Sequence, residues 1–209
     1  MIKSVFVITL ISMASASYAQ TTTPTNTVTN QPAVQFGLKA GVNLANLKTD
    51  FYDDSKARTS FYAGGLAHIH LNEHLALQPE LVYSMQGFEY TITSGNNVTG
   101  KIDYINFPVM FQYMNSGVRI ETGPQLGFLV NSQYVYSDGR DDDVEDRFKT
   151  TDFSWAFGVG YLSQHGIGIN ARYNLGISNI NKDITVSGVN NPEINNRVWQ
   201  FGLFYQFGR

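Results

Sequence analysis

The sequence predicts an all-β fold, an eight-stranded antiparallel up-and-down transmembrane β-barrel. Three observations predict it. Eight segments alternate apolar and polar residues with a period of two, as strands do when their two faces meet different environments. The connections sort by parity: those after the first, third, fifth and seventh segments are long and polar, and the others are short turns. The composition is aromatic-rich and free of cysteine, with 14 Phe, 12 Tyr, 19 Gly and no Cys in 209 residues. This suits strands and tight turns, and it excludes disulfides, thiolate metal sites and a catalytic cysteine.

Residues 1–19 read as a secretory signal peptide. Lys3 supplies the positive charge, residues 5–13 the apolar core, and the small residues Ser17 and Ala19 precede cleavage before Gln20. The apolar run is much shorter than the ~20 residues of a spanning helix. Residues 20–34 are rich in Thr, Asn and Pro and have no periodicity, so they read as a flexible linker. The barrel domain is expected over residues 35–209.

The first strand sets Phe36, Leu38, Ala40, Val42 and Leu44 against Gly37, Lys39, Gly41 and Asn43. The second sets Phe61, Ala63, Ala67 and Ile69 against Tyr62, Leu66, His68 and His70, and ends at the turn Asn72-Glu73-His74. In the third, Leu77, Pro79, Leu81 and Tyr83 oppose Gln78, Glu80, Val82 and Ser84. Residues 87–101 read as a polar connection. The fourth and fifth strands form a hairpin about Asn115-Ser116-Gly117. Ile105, Phe107, Val109, Phe111 and Tyr113 share one face with Val118, Ile120, Leu126, Phe128 and Val130. Asn106, Met110, Gln112, Arg119, Glu121 and Gln125 share the other.

Residues 131–151 read as an acidic loop. The sixth strand carries Phe153, Trp155, Phe157, Val159 and Tyr161 opposite Ser154, Ala156, Gly158 and Gly160, then turns at Ser163-Gln164-His165-Gly166. The seventh carries Ile167, Ile169, Ala171, Tyr173 and Leu175 opposite Gly168, Asn170, Arg172 and Asn174. After a polar loop over residues 179–197, the last strand places Trp199, Phe201, Leu203, Tyr205 and Phe207 opposite Gln200, Gly202, Phe204 and Gln206. Pro79, Pro108 and Pro124 cannot donate to a ladder and mark expected local irregularities.

Loop parity separates a barrel from a sandwich. A sandwich has no reason to sort its loops, whereas an outer-membrane barrel has short periplasmic turns and long extracellular loops. An even strand count leaves both termini on the periplasmic side. Trp155, Tyr161, Tyr173, Trp199 and Tyr205 lie on the apolar faces as interfacial girdle residues. The opposite faces are Gly, Asn, Gln, Glu and Arg, the composition of a lumen. A soluble lipocalin-like barrel would need the aliphatic faces turned inward.

The segments FGLKAGVNLANL, LALQPELVYSMQG, YINFPVMFQY, ETGPQLGFLV, GINARYNLGISNI and FGLFYQFGR resemble the outer-membrane β-barrel domain family often labelled PorT-like, an architectural relative of the small OmpA and OmpX barrels. The resemblance covers residues 35–209. It implies location and fold more than an activity, although some relatives serve a protein-secretion system.

The lumen of an eight-stranded barrel is just wide enough for its own side chains, which argues against a general porin. Lys39, Glu80, Arg119, Glu121 and Arg172 occupy inward positions, where buried charges must pair. A structural ion-pair network is expected from them, with Gln78 and Gln125 completing its hydrogen bonds. His68 and His70 at i and i+2 have no evident third ligand apart from the turn residues Glu73 and His74, so no metal and no cofactor is expected. A barrel hydrolase needs nucleophile, His and acid gathered at the outer rim. No histidine falls on the long-loop side, and no enzyme is expected.

Asp138, Asp141, Asp142, Asp143, Glu145 and Asp146 form an acidic run that offers at most a weak cation-binding loop without EF-hand spacing. A net charge of −3 gives no nucleic-acid footprint. The expected partners are outer-membrane lipid and lipopolysaccharide, with envelope or secretion-machinery proteins beside them, and the expected state is a monomer. Two roles fit: a structural or surface-interaction barrel, and a transport or secretion accessory.

Overall fold

A computed structural model describes residues 34–49, 56–91, 97–137, 139–144, 147–182, 185–186, 189–190 and 193–208. The expected signal peptide and all of the linker before Val34 lie outside the described residues. The strands are β1 (Val34–Thr49), β2 (Lys56–His70), β3 (Leu75–Thr91), β4 (Asn97–Asn115), β5 (Val118–Tyr136), β6 (Asp141–Asp143), β7 (Thr151–Leu162), β8 (Ile167–Gly176), β9 (Thr185–Val186), β10 (Val189–Asn190) and β11 (Ile194–Gln206). The eight long ones form an antiparallel ring in chain order, closed where β1 pairs with β11. Closure leaves no free edge in the membrane, where an unpaired backbone group has no water to satisfy it. The short β6 pairs with the upper part of β5, and β9 with β10 forms a separate small hairpin.

Local chemistry sets the hairpins. Asn115 pairs with Val118 across a two-residue turn, in which Ser116 and Gly117 both take positive φ, 51° and 87°. That is the geometry whose twist matches flanking strands, and glycine adopts it at no steric cost. The prolines behave more quietly than expected. Register is the same on both sides of each, as in Pro79↔Val109 followed by Val82↔Asn106, and Pro124 pairs with Trp155 in an unbroken ladder. The register shifts fall elsewhere, at Asp103/Tyr104 against β5 and between Ala57 and Tyr62 against β3.

The two faces differ as lipid and lumen do. Phe61 is 65% exposed, Leu203 61% and Leu38 59%, so the aliphatic faces point outward and the lipocalin-like arrangement does not occur. Lys39, Glu80, Glu121, Arg172 and Gln200 are buried inside.

Several strands run further than the sequence reading allowed, β11 among them, which begins at Ile194 inside the loop expected over residues 179–197. β3 continues to Thr91, β4 begins at Asn97 and β5 reaches Tyr136, so residues 87–101 and the start of the expected acidic loop are largely sheet. The physical reason is an inversion of polarity along the same strands. Beyond the lipid belt, Val98, Ile102 and Tyr104 are buried on the inner side, whereas Glu89 is exposed on the outer side. Water now lies outside and an apolar core inside. The six residues of β4 before Asp103 add about 20 Å of strand length to this wall, at ~3.4 Å per residue.

Candidate functional site

The centre of the lumen holds a connected set of charges from four strands. β1 contributes Lys39, β3 Glu80, β5 Glu121 and β8 Arg172. Arg172 donates from Nη1 to Glu80 Oε2 and from Nη2 to Glu80 Oε1, each at 2.8 Å, and from Nε to Glu121 Oε1 at 2.8 Å. Lys39 Nζ lies 2.9 Å from Glu80 Oε2. Gln78 Nε2 donates to Glu80 Oε1 and Gln112 Nε2 to Glu121 Oε2, both at 2.8 Å. The planar Arg172 fork thus holds one carboxylate bidentately and touches the second. Tyr62 lies across the lumen beside it, with Lys39 Nζ 5.5 Å from its ring centre. Gly41 and Gly202 make room for that ring, since a Cβ at either would collide with it.

The remaining inward residues form layers. Toward the short-turn end, Arg119 Nη2 donates to Gln206 Oε1 at 2.7 Å and its guanidinium lies 5.2 Å from the Phe204 ring centre. Leu66, Leu162 and Phe204 cluster at the same level. His68 and His70 stand 4.5 Å apart, with His68 Nδ1 against Gln78 Oε1 at 3.2 Å. Above the charges, Asn43 donates to Ser84 Oγ, Gln200 to Asn43 Oδ1, and Gln125 to Ser154 Oγ. Gln125 therefore stands a layer away from the carboxylates. Among the described residues, no group of three His, Asp or Glu could hold a metal ion.

An apolar core lies at the long-loop mouth. Val144 and Phe148 from one connection and Ile180 from another pack on Leu47, Ile102 and Tyr104, flanked by Phe88, Leu129, Tyr134 and Ile194. Backbone bonds join the connections, Lys149 N to Ile180 O at 2.7 Å and Lys182 N to Arg147 O at 3.0 Å. Beneath them Asp152 accepts from Ser178 Oγ and from Asn196 Nδ2, both at 2.8 Å.

Only half of the acidic run falls among the described residues. Asp141, Asp142 and Asp143 are exposed on β6, where successive side chains point to opposite faces. Asp138, Glu145 and Asp146 lie outside the described residues. Of the five aromatics assigned to girdles, Tyr161 and Tyr205 project toward the short-turn end, 49% and 45% exposed. Trp155, Tyr173 and Trp199 group toward the other, where Tyr173 and Trp199 have ring centres 4.7 Å apart and Trp155 Nε1 donates to Thr122 Oγ1 at 2.8 Å.

Sequence reasoning missed Gln112, Tyr62 and Gln206 as partners of the charges. All three sit on the polar face of their strands, so alternation was the available signal. It also missed the cap: Val144 and Phe148 are lone apolar residues in an acidic stretch and carry no periodic signal.

A closed ring of strands with an apolar exterior and a charged interior defines an integral membrane barrel of the outer-membrane type. The chain belongs to the family of outer membrane protein β-barrel domains, which it matches over residues 18–182, and its place is the cell outer membrane. No curated protein matches the sequence. Among solved structures it is similar to Neisserial surface protein A, at 15% identity and TM-score 0.56 over 82% of this chain and 97% of that one. It also matches Ail of Yersinia pestis, at 14% identity and TM-score 0.49 over 84% and 100%, and OprG of Pseudomonas aeruginosa, at 13% identity and TM-score 0.43 over 85% and 97%.

Proposed function

We propose that this protein is a non-catalytic outer-membrane barrel that anchors and presents its tall extracellular end for contacts with the cell envelope or surface, and that its lumen is structural. The observation that carries the reading is the lumenal cluster itself. Arg172 bridges Glu80 and Glu121 across the bore with bonds of 2.8 Å, and the cavity left beside it measures about 10 Å³. That is room for about one water, not a conduit. The apolar cap is a second seal above it.

The rest of the reading follows the same logic. Residues 1–19 direct export and are removed, and residues 20–33 tether the barrel on its periplasmic side. Trp155, Tyr161, Tyr173, Trp199 and Tyr205 fix its depth in the lipid as two girdles. The acidic run is a solvated surface beside lipopolysaccharide. The absence of catalysis is supported by the histidines: all 4 in the sequence, at positions 68, 70, 74 and 165, belong to β2 or the short turns, away from the rim where a barrel hydrolase works.

Planar-bilayer recording of the purified full chain tests the sealed lumen, with no discrete conductance steps expected. Stable single-channel openings would overturn it in favour of a narrow transport channel. Co-purification of a defined export complex from membranes would favour the secretion accessory.

A further inference from the structure

Two buried polar atoms in the middle of the lumen have no hydrogen-bond partner among the described residues. One is Gln112 Oε1 on β4, an acceptor; the other is Asn170 Nδ2 on β8, a donor. The Gln112 amide cannot turn round to cure this. Its Nε2 donates to Glu121 Oε2 at 2.8 Å, and an ionised carboxylate only accepts, so Oε1 stays on the other side. Asn170 Oδ1 lies 3.5 Å from Tyr62 Oη, which leaves Nδ2 as the unused end. A buried donor or acceptor left unmatched is costly, and native interiors satisfy such atoms with protein groups or with ordered water.

Both residues line the cavity of about 10 Å³ beside Arg172, a volume that admits about one water. Lys39 lines it as well. Its ammonium carries three N–H groups, and Glu80 Oε2 takes one of them at 2.9 Å. The lining thus includes an acceptor and a donor that the protein leaves unused, and an ammonium able to bond a second partner.

We propose that this cavity holds a single water molecule as a fixed part of the barrel, donating to Gln112 Oε1 and accepting from Asn170 Nδ2 and Lys39 Nζ. Water both donates and accepts, so one molecule serves the unmatched acceptor and the unmatched donor together, whereas an ion of either sign serves only one of them. The three residues come from β4, β8 and β1, no two of which are neighbours in the ring. The water is therefore a tie across the bore, beside the one that Arg172 makes from β8 to Glu80 on β3. The inference rests on the reading of the lumen as structural, since an open conduit would hold a file of exchanging waters.

The test is crystallography of the full chain folded in detergent, with crystals grown in sodium chloride and in sodium bromide. One compact density peak is expected in the cavity, within hydrogen-bond distance of Gln112 Oε1 and Asn170 Nδ2. It should be the same in both salts and give no anomalous-scattering signal in bromide. Asn170→Leu removes the donor and fills the space, and is expected to lose the peak while Gln112 stays on Glu121. The wild-type crystals decide the matter if that variant fails to fold. No wild-type peak, a bromide signal at the site, or a peak that persists beside Leu would each overturn the proposal and leave the sealed lumen standing. A continuous file of peaks from one mouth to the other would overturn both.

Discussion

Replacing Arg172 with Leu is the sharpest probe of how this barrel is held together. Arg172 is 2% exposed and is the group that joins Glu80 to Glu121. Without it, Glu80 keeps Lys39 at 2.9 Å and Gln78 at 2.8 Å. Glu121 keeps the Gln112 amide but loses the cation that bonds it. Breaking a buried pair by deleting one partner costs about 3–5 kcal/mol, because the other charge stays behind. At about 2–4 °C per kcal/mol for a chain of this size, the midpoint should fall by roughly 6–20 °C. Circular dichroism of the detergent-folded protein reads the melt. Adding Glu121→Gln to the Leu variant removes the stranded charge and should recover about half of the loss. Arg172→Lys keeps the charge without the planar fork and should fall between wild type and Leu. A Leu variant melting within about 2 °C of wild type would refute the view that these charges form one interdependent network.

Gly202→Val should lower the midpoint by overpacking against Tyr62, at about 1–3 kcal/mol, and Tyr62→Ala in the same chain should restore part of it. A denaturant series on the two variants checks the coupling, and simple additivity would count against the collision. Phe148→Ala empties part of the extracellular cap and should cost that subregion about 3–5 kcal/mol. It should speed proteolysis near Arg147 and Lys149 in intact cells while bilayer conductance stays absent, because the central charges still fill the bore. Gly117→Val places a β-branched residue at φ 87° and should slow folding and destabilise the turn by at least about 1 kcal/mol. Refolding kinetics into detergent read that change, and a wild-type rate would show that the turn is formed late.

The sequence by itself determined the class of protein. Period-two alternation, loop parity and aromatic outer faces are local properties of the chain, and each follows from a strand between lipid and a polar interior. Alternation assigned Lys39, Glu80, Arg119, Glu121 and Arg172 to a single face, because that depends only on position along a strand. Which of them meet was a matter for the tertiary structure. Closure of β1 on β11 brings β8 opposite β3, so Arg172 reaches Glu80 from 92 residues away, while Arg119 is set one layer lower, against Gln206.

The strand lengths were hidden for a different reason. At the membrane surface the apolar face of β3, β4 and β5 changes sides, so Val98, Ile102 and Tyr134 interrupt the pattern while the ladder continues. A reading that follows one apolar face must stop there, and only the surrounding medium tells that the strand does not. The cap was least legible, since Val144, Phe148 and Ile180 acquire a common core only when two connections fold over the same mouth. Sequence therefore specified what each strand faces. Closure of the ring, a property of no single strand, decided which charges pair and which connections share a core.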